Sequence, residues 1–165
     1  MLDVQIDRLT NSIEEVATGE KLDTEVLRAS RKDLKALGPK WRFNWIEEQS
    51  RSEIYKLIVP ARDGTIQGVI SLSREADHVF VHLIENHPQN VGRNKLFSGV
   101  AGNLFAYAAK LAFDLEHDGF VCFVAKTELI EHYRKTLGAT RIGRSQRMFL
   151  DTVAAQKLIR SYYGE

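Results

Sequence analysis

The clearest alternation of apolar and polar positions in the chain lies between His78 and Ala139. Over residues 79–84 β-branched, aromatic and polar side chains alternate, which predicts a strand, and Asn86, Pro88 and Asn90 then break the run into a polar loop. Ala101, Leu104, Phe105, Ala108, Leu111, Ala112 and Leu115 recur at the three-and-four spacing of one helix face, and Gly119 stops that helix. Residues 120–126, FVCFVAK, carry no strongly polar side chain before Lys126, as expected of a strand covered on both faces in a parallel pair. Strand, loop, helix and strand in that order make one βαβ unit with a right-handed crossover.

Leu2, Val4 and Ile6 share one face of an expected opening strand. Asn11 with Glu14 resembles a capping pair opening a short helix that Gly19 ends, and Asp23 or Thr24 can cap a second. Val26, Leu27, Leu34 and Leu37 would give that second helix its apolar side until Gly38-Pro39 closes it. Trp41, Phe43 and Trp45 alternate with polar residues, either as an aromatic lip over a pocket or, as large aromatics favour, as core packing.

Residues 53–60 and 65–73 are β-rich runs on either side of the hairpin signal Asp63-Gly64, so a meander leads into the strand at Val79. Two more short strands are expected over 139–143 and 146–151, around Gly143-Arg144-Ser145. Residues 152–163 finish as an amphipathic helix capped by Asp151 or Thr152.

The expected architecture is α/β, an α+β mixed sheet of six or seven mostly antiparallel strands with one central parallel pair. Helices cover both faces, and an extra helix ends the chain. No repeat, low-complexity segment or linker divides the sequence, so residues 1–165 are read as one domain.

Composition narrows the functional classes. Twenty-three basic and 22 acidic residues leave a formal charge of +1 with no basic block, which does not favour non-specific nucleic-acid binding. Cys122 is the only cysteine, so an intrachain disulfide or a cysteine metal cluster is excluded, and its apolar surroundings suggest a core thiol rather than a nucleophile. His82, His87 and His132 fit no metal spacing, and no metal is expected; His87, in the loop, is the histidine best placed to touch a ligand. No apolar run approaches the ~18 residues that span a bilayer, and MLDVQIDRLT lacks a signal region, so a cytoplasmic protein without membrane partners is expected.

The meander, the βαβ unit with GVAGNL at its helix start, and the helix ending HYRKTLGA together resemble the GNAT superfamily of acyl-CoA-dependent N-acyltransferases over about residues 53–150. The likeness is nearest to small bacterial members without a substrate signature. In that superfamily the loop reads Arg/Gln-x-x-Gly-x-Gly/Ala. Gly99, Ala101 and Leu104 match it; the leading basic position falls on Leu96, with Lys95 or Arg93 nearby, and the loop is longer than usual. Tyr133 lies one residue further from Leu137-Gly138 than is common, and Ala139 replaces an aromatic residue.

The resemblance implies acetyl-CoA or another acyl-CoA as co-substrate, bound where the parallel strands splay. Leu83 and Ile84 would offer backbone groups to pantetheine. Lys95 and the N–H groups of Gly99, Val100, Ala101, Gly102 and Asn103 would take the phosphates, with Gly102 leaving room for the ligand. Glu85, at the strand end, is the expected general base, and Tyr133 the donor to the departing sulfur. The implied reaction is direct transfer to a primary amine of a small molecule, peptide or protein. A non-catalytic module that binds acyl-CoA or a protein partner is the alternative; action on charged tRNA is a weaker one, and a homodimer is compatible with either.

Overall fold

The computed structural model describes residues 1–7 and 12–164. Its main sheet has seven strands in the order β3 (Glu25–Arg28), β4 (Glu53–Ile58), β5 (Ile66–Arg74), β6 (Val79–Asn86), β8 (Val121–Val124), β10 (Arg147–Leu150) and β9 (Thr140–Arg141). Every pairing is antiparallel except β6 with β8. A second sheet joins β2 (Lys21–Leu22), β1 (Ile13–Glu15) and β7 (Phe97–Ser98).

Helices cover both faces. On one, α3 (Val100–Asp114), α4 (Ile130–Leu137) and α5 (Thr152–Tyr163) bury Leu104, Phe105, Tyr133, Leu158 and Tyr162 against Val79, Val81, Val121 and Phe123. On the other, α1 (Arg31–Lys35) and α2 (Trp45–Gln49) pack Leu34, Trp41 and Trp45 against Ile54 and Val69. The buried Glu48 carboxylate of α2 accepts from Ser71 Oγ at 2.7 Å and from Arg51 at 3.1 Å, which ties that helix to the sheet.

The mixed sheet, its parallel pair, the meander and the closing helix are as the sequence predicts, and Asp151 caps α5 through Ala154 N–H. The opening region differs. Residues 12–28 form β1, β2 and β3 rather than helices, because Val26 and Leu27 lie along the edge of β4 and gain a ladder of backbone bonds there. Helix appears only from Ser30, whose side chain and Asp33 form a capping box. Asn11, the expected cap, lies outside the described residues. The opening strand is reduced to one parallel bridge, Leu2 to Ala125.

Two further expectations change. The face of β8 that carries Cys122 and Val124 is only half-buried, since α1 and α2 pack on the β4–β5 side of that face. Cys122 is therefore a partly exposed free thiol, with its pKa pushed up by desolvation and by Asp77. Trp45 does not continue an extended aromatic run but begins α2, capped by Asn44 through Glu47 N–H.

Candidate active site

β6 carries an irregularity beside Ser71 and Leu72: Ser71 faces Leu83 while Leu72 faces Val81, so His82 is the extra residue of a bulge. A bulge bends its strand. Pairing of β6 with β8 stops at Val81 and Phe123, just before the bend. Beyond it, residues 83–86 bond to β5 along one edge and turn the other toward a widening cleft. Leu83 and Ile84 thus sit where backbone groups can meet an extended ligand, with Ile84 buried and Leu83 half-buried.

The long loop after β6 is ordered by buried Asn90. Its amide donates to Gln67 Oε1 at 2.9 Å, and its Oδ1 accepts from Phe97 N at 3.0 Å. Phe97 and Ser98 then pair with β1, which fixes the start of α3. Gly99 is the helix N-cap at φ 92, a left-handed conformation that glycine adopts without strain. The first N–H groups of a helix have no partner within it, and they attract anions.

The Asp7 carboxylate lies at this helix start. It accepts from Gly99 N at 3.0 Å and from Lys95 Nζ at 3.1 Å. Lys95, rather than the exposed Arg93, therefore brings positive charge to the head of α3.

Small residues at 101 and 102 have another cause than the sequence suggests. A Cβ on Gly102 would lie 1.9 Å from Tyr162 Oη and 2.7 Å from Cζ, so this glycine makes room for α5. Ala101 is likewise core, 1% exposed. Only the backbone of this turn remains for a ligand.

Tyr133, on α4, is fully buried; its ring packs edge-on to Phe123, and its hydroxyl donates to Val4 O. Burial, with a smaller contribution from Asp3, raises its pKa well above the ordinary phenol value, so it keeps its proton at neutral pH. Gly138, at φ 70, ends the helix in the Leu-Gly turn that the sequence marks.

Glu85 points away from the α3 head, toward the aromatic segment. Its Oε1 accepts from Trp45 Nε1 at 2.8 Å and Phe43 N at 3.2 Å, and its Oε2 from Arg42 N at 2.6 Å. Three of the lone pairs that a proton would take are engaged. Truncation of this clamp by Glu85→Ala should cost about 1–3 kcal/mol, because backbone donors lose their acceptor. Faster amide exchange at Arg42 and Phe43 would accompany the loss; unchanged urea stability and exchange would show that the clamp is idle.

Between these groups lies a cavity of about 800 Å³, walled by Trp41, Arg42, Phe43, Glu85, Asn86 and Lys95 and by residues of the first segment. Arg42 bridges to Asp3 at 2.6 Å and lies over the Phe43 ring, and the Asp3 contact pushes its pKa up. Asn86 Oδ1 and Ser98 Oγ are buried without a hydrogen-bond partner among the described residues. A cationic side chain beside the backbone N–H groups of a helix start suits a phosphate-bearing ligand such as acyl-CoA.

The remaining histidines have other duties. His87 stands edge-on to Trp41 and caps a 3₁₀ turn through Gln89 N–H, His82 bonds Ser73, and His132 Nε2 accepts from Ile6 N at 2.8 Å. Desolvation lowers the pKa of each. Among the described residues, no group of three or more His, Cys, Asp and Glu could hold a metal ion. No helix of the described residues is long and apolar enough to cross a membrane.

A mixed sheet with a splayed parallel pair, a glycine-led helix after the first of those strands and a further helix after the second defines the GNAT fold. Solved structures of several such proteins superpose on the chain. The AtaTR structure bound with AcCoA is 14% identical and matches 82% of this chain and 98% of its own at a TM-score of 0.56. The KacTA–DNA complex is also 14% identical with the same coverage, at 0.59. A GNAT family acetyltransferase from Listeria monocytogenes is 12% identical over 78% of this chain and 93% of its own, at 0.53. No family model and no curated protein matches the sequence. These structures are spanned almost end to end, while roughly a fifth of this chain falls outside the match.

Proposed function

We propose that the chain is a single-domain N-acyltransferase that moves an acetyl or similar acyl group from acyl-CoA to a primary amine. The observation that carries this reading is the cleft itself. The strand edge that β8 leaves at Leu83 and Ile84 would face pantetheine, the helix start with Lys95 the phosphates, and the protonated tyrosine the sulfur. Structures of the same fold bound with AcCoA support it.

In such a transfer the amine nitrogen bonds to the thioester carbon and the carbon–sulfur bond breaks. The phenol of Tyr133 would give its proton to the departing thiolate. The proton lost by the amine would leave through water in the open cavity, which returns one to the Tyr133 phenolate, since Glu85 spends three lone pairs on the aromatic segment. This reading keeps Glu85 as the group that positions Arg42, Phe43 and Trp45 along the acceptor side, and leaves its fourth lone-pair site as its only route to base catalysis.

One similar structure is AtaT complexed with acetyl-methionyl-tRNAfMet, which favours an amine carried on charged tRNA as a second acceptor class. The near-zero net charge limits any RNA contact to a local patch. Use of acyl-CoA fits a protein that works in the cytoplasm. Release of free coenzyme A from acetyl-CoA, dependent on one member of a panel of small amines, peptides and aminoacyl-tRNA, is the expected result. Binding of acetyl-CoA without release on any amine would instead support a non-catalytic module of the same fold.

A further inference from the structure

Residues 1–7 run along the cleft and bond to the edge of β8, to Tyr133 and His132 of α4, and to the head of α3. Leu2 N donates to Val124 O at 2.7 Å, and Leu2 O accepts from Lys126 N at 2.8 Å, so the segment takes the edge of β8 that β6 abandons. Val4 O receives the Tyr133 hydroxyl. Ile6 N donates to His132 Nε2. The Asp7 carboxylate bridges Gly99 N–H and Lys95 Nζ at the head of α3.

The order of these contacts follows that of a bound acyl-CoA. A carbonyl oxygen meets the proton donor at one end, and an anion meets the helix start and its lysine at the other. We propose that residues 1–7 are a self-ligand that holds the cleft closed, with Asp7 in the phosphate position, and that acyl-CoA binds by displacing them. This rests on the acyl-CoA reading of the cleft.

The attachment suits displacement. Leu2 and Ile6 anchor the segment at 2% and 4% exposure, while the Asp7 side chain sits at the rim, 19% exposed. A pyrophosphate offers more charge and more acceptor oxygens than one carboxylate to the same donors. Apparent affinity is reduced by the fraction of molecules whose cleft is open, so weakening the segment should strengthen ligand binding. A structural wall behaves in the opposite way, because its loss loosens the site.

Calorimetry with coenzyme A on the full chain, its Asp7→Ala variant and its Asp7→Asn variant separates the two. The expected result is at least tenfold tighter binding by Asp7→Ala, about 1.4 kcal/mol. Asp7→Asn keeps an oxygen for Gly99 but removes the charge opposite Lys95; it should show a smaller gain and guards against loss of fold in the alanine variant. In the native chain, saturating coenzyme A should speed hydrogen exchange at the Leu2 and Ile6 amides. Equal or weaker binding by both variants, with these amides still protected, would overturn the self-ligand and leave the acyl-CoA site intact. Failure of all three chains to bind coenzyme A would remove the site reading and the competition with it.

Discussion

A Gly102→Ala substitution should lower stability by about 2–3 kcal/mol, although alanine is the better helix former. The new methyl would stand 1.9 Å from Tyr162 Oη, and Tyr162 is 2% exposed, so its ring has little space to retreat. Either α5 shifts away from α3 or the ring leaves its rotamer, and both disturb the largest helix–helix contact of the core. For a domain of this size the loss corresponds to a fall in Tm of roughly 4–12 °C. In a Tyr162→Phe background the oxygen is gone and the ring carbons at 2.7 and 3.2 Å remain. The same Gly102→Ala change should then cost about 1 kcal/mol less, a coupling of the size found between touching residues. An alanine variant as stable as the native chain would show that α3 and α5 are more loosely seated than their spacing implies. The position also makes bulky changes at Gly102 poor probes of ligand binding, since they break the fold first.

Replacement of Tyr133 by phenylalanine should reduce turnover about 100-fold or more, the usual scale for removal of a positioned proton donor. Stability should fall by only about 1 kcal/mol, because one hydrogen bond is lost while the ring keeps its packing against Phe105 and Phe123. Burial raises the tyrosine pKa, so the phenol stays protonated across the neutral range and the native rate should not titrate on this group there. The substitution also frees Val4 O, so KM for acyl-CoA should stay level or fall while kcat drops. A variant with full kcat would confine Tyr133 to its structural bond with Val4.

Segments whose pattern is long and periodic are legible in the sequence: the meander around Asp63-Gly64, the strand at Val79, helix α3 and the apolar strand at Val121. Each buries a face that neighbouring residues cannot cover, so periodicity and burial agree. The opening third is not. Val26, Leu27, Leu34 and Leu37 satisfy helical spacing, but pairing with β4 gives residues 25–28 a partner that no local pattern reveals. Strands of two or three residues, such as β2 and β7, carry too few side chains to form a pattern at all.

The site divides in the same way. Gly99 follows from the order of strand, loop and helix, and its left-handed φ gives the glycine its reason, whereas Lys95 enters only through the family resemblance, as an alternative to Arg93. The bulge at His82 leaves no mark in the sequence, since an extra residue in a strand reads as ordinary alternation. Asp7 was equally silent: alternation over Leu2, Val4 and Ile6 shows an extended segment but not that it enters the cleft. Glu85 stands out in the sequence by its place at a strand end, whereas its three donors come from residues 42, 43 and 45, more than 39 positions earlier in the chain.

The most direct test of the cleft as an acyl-CoA site is to follow the backbone amides of the labelled chain during titration with acetyl-CoA. Shifts concentrated at Leu83, Ile84 and residues 99–103, with the Lys95 amide moving alongside, are the predicted result. Saturating acetyl-CoA that leaves these amides in place, or perturbs a different face, would contradict it.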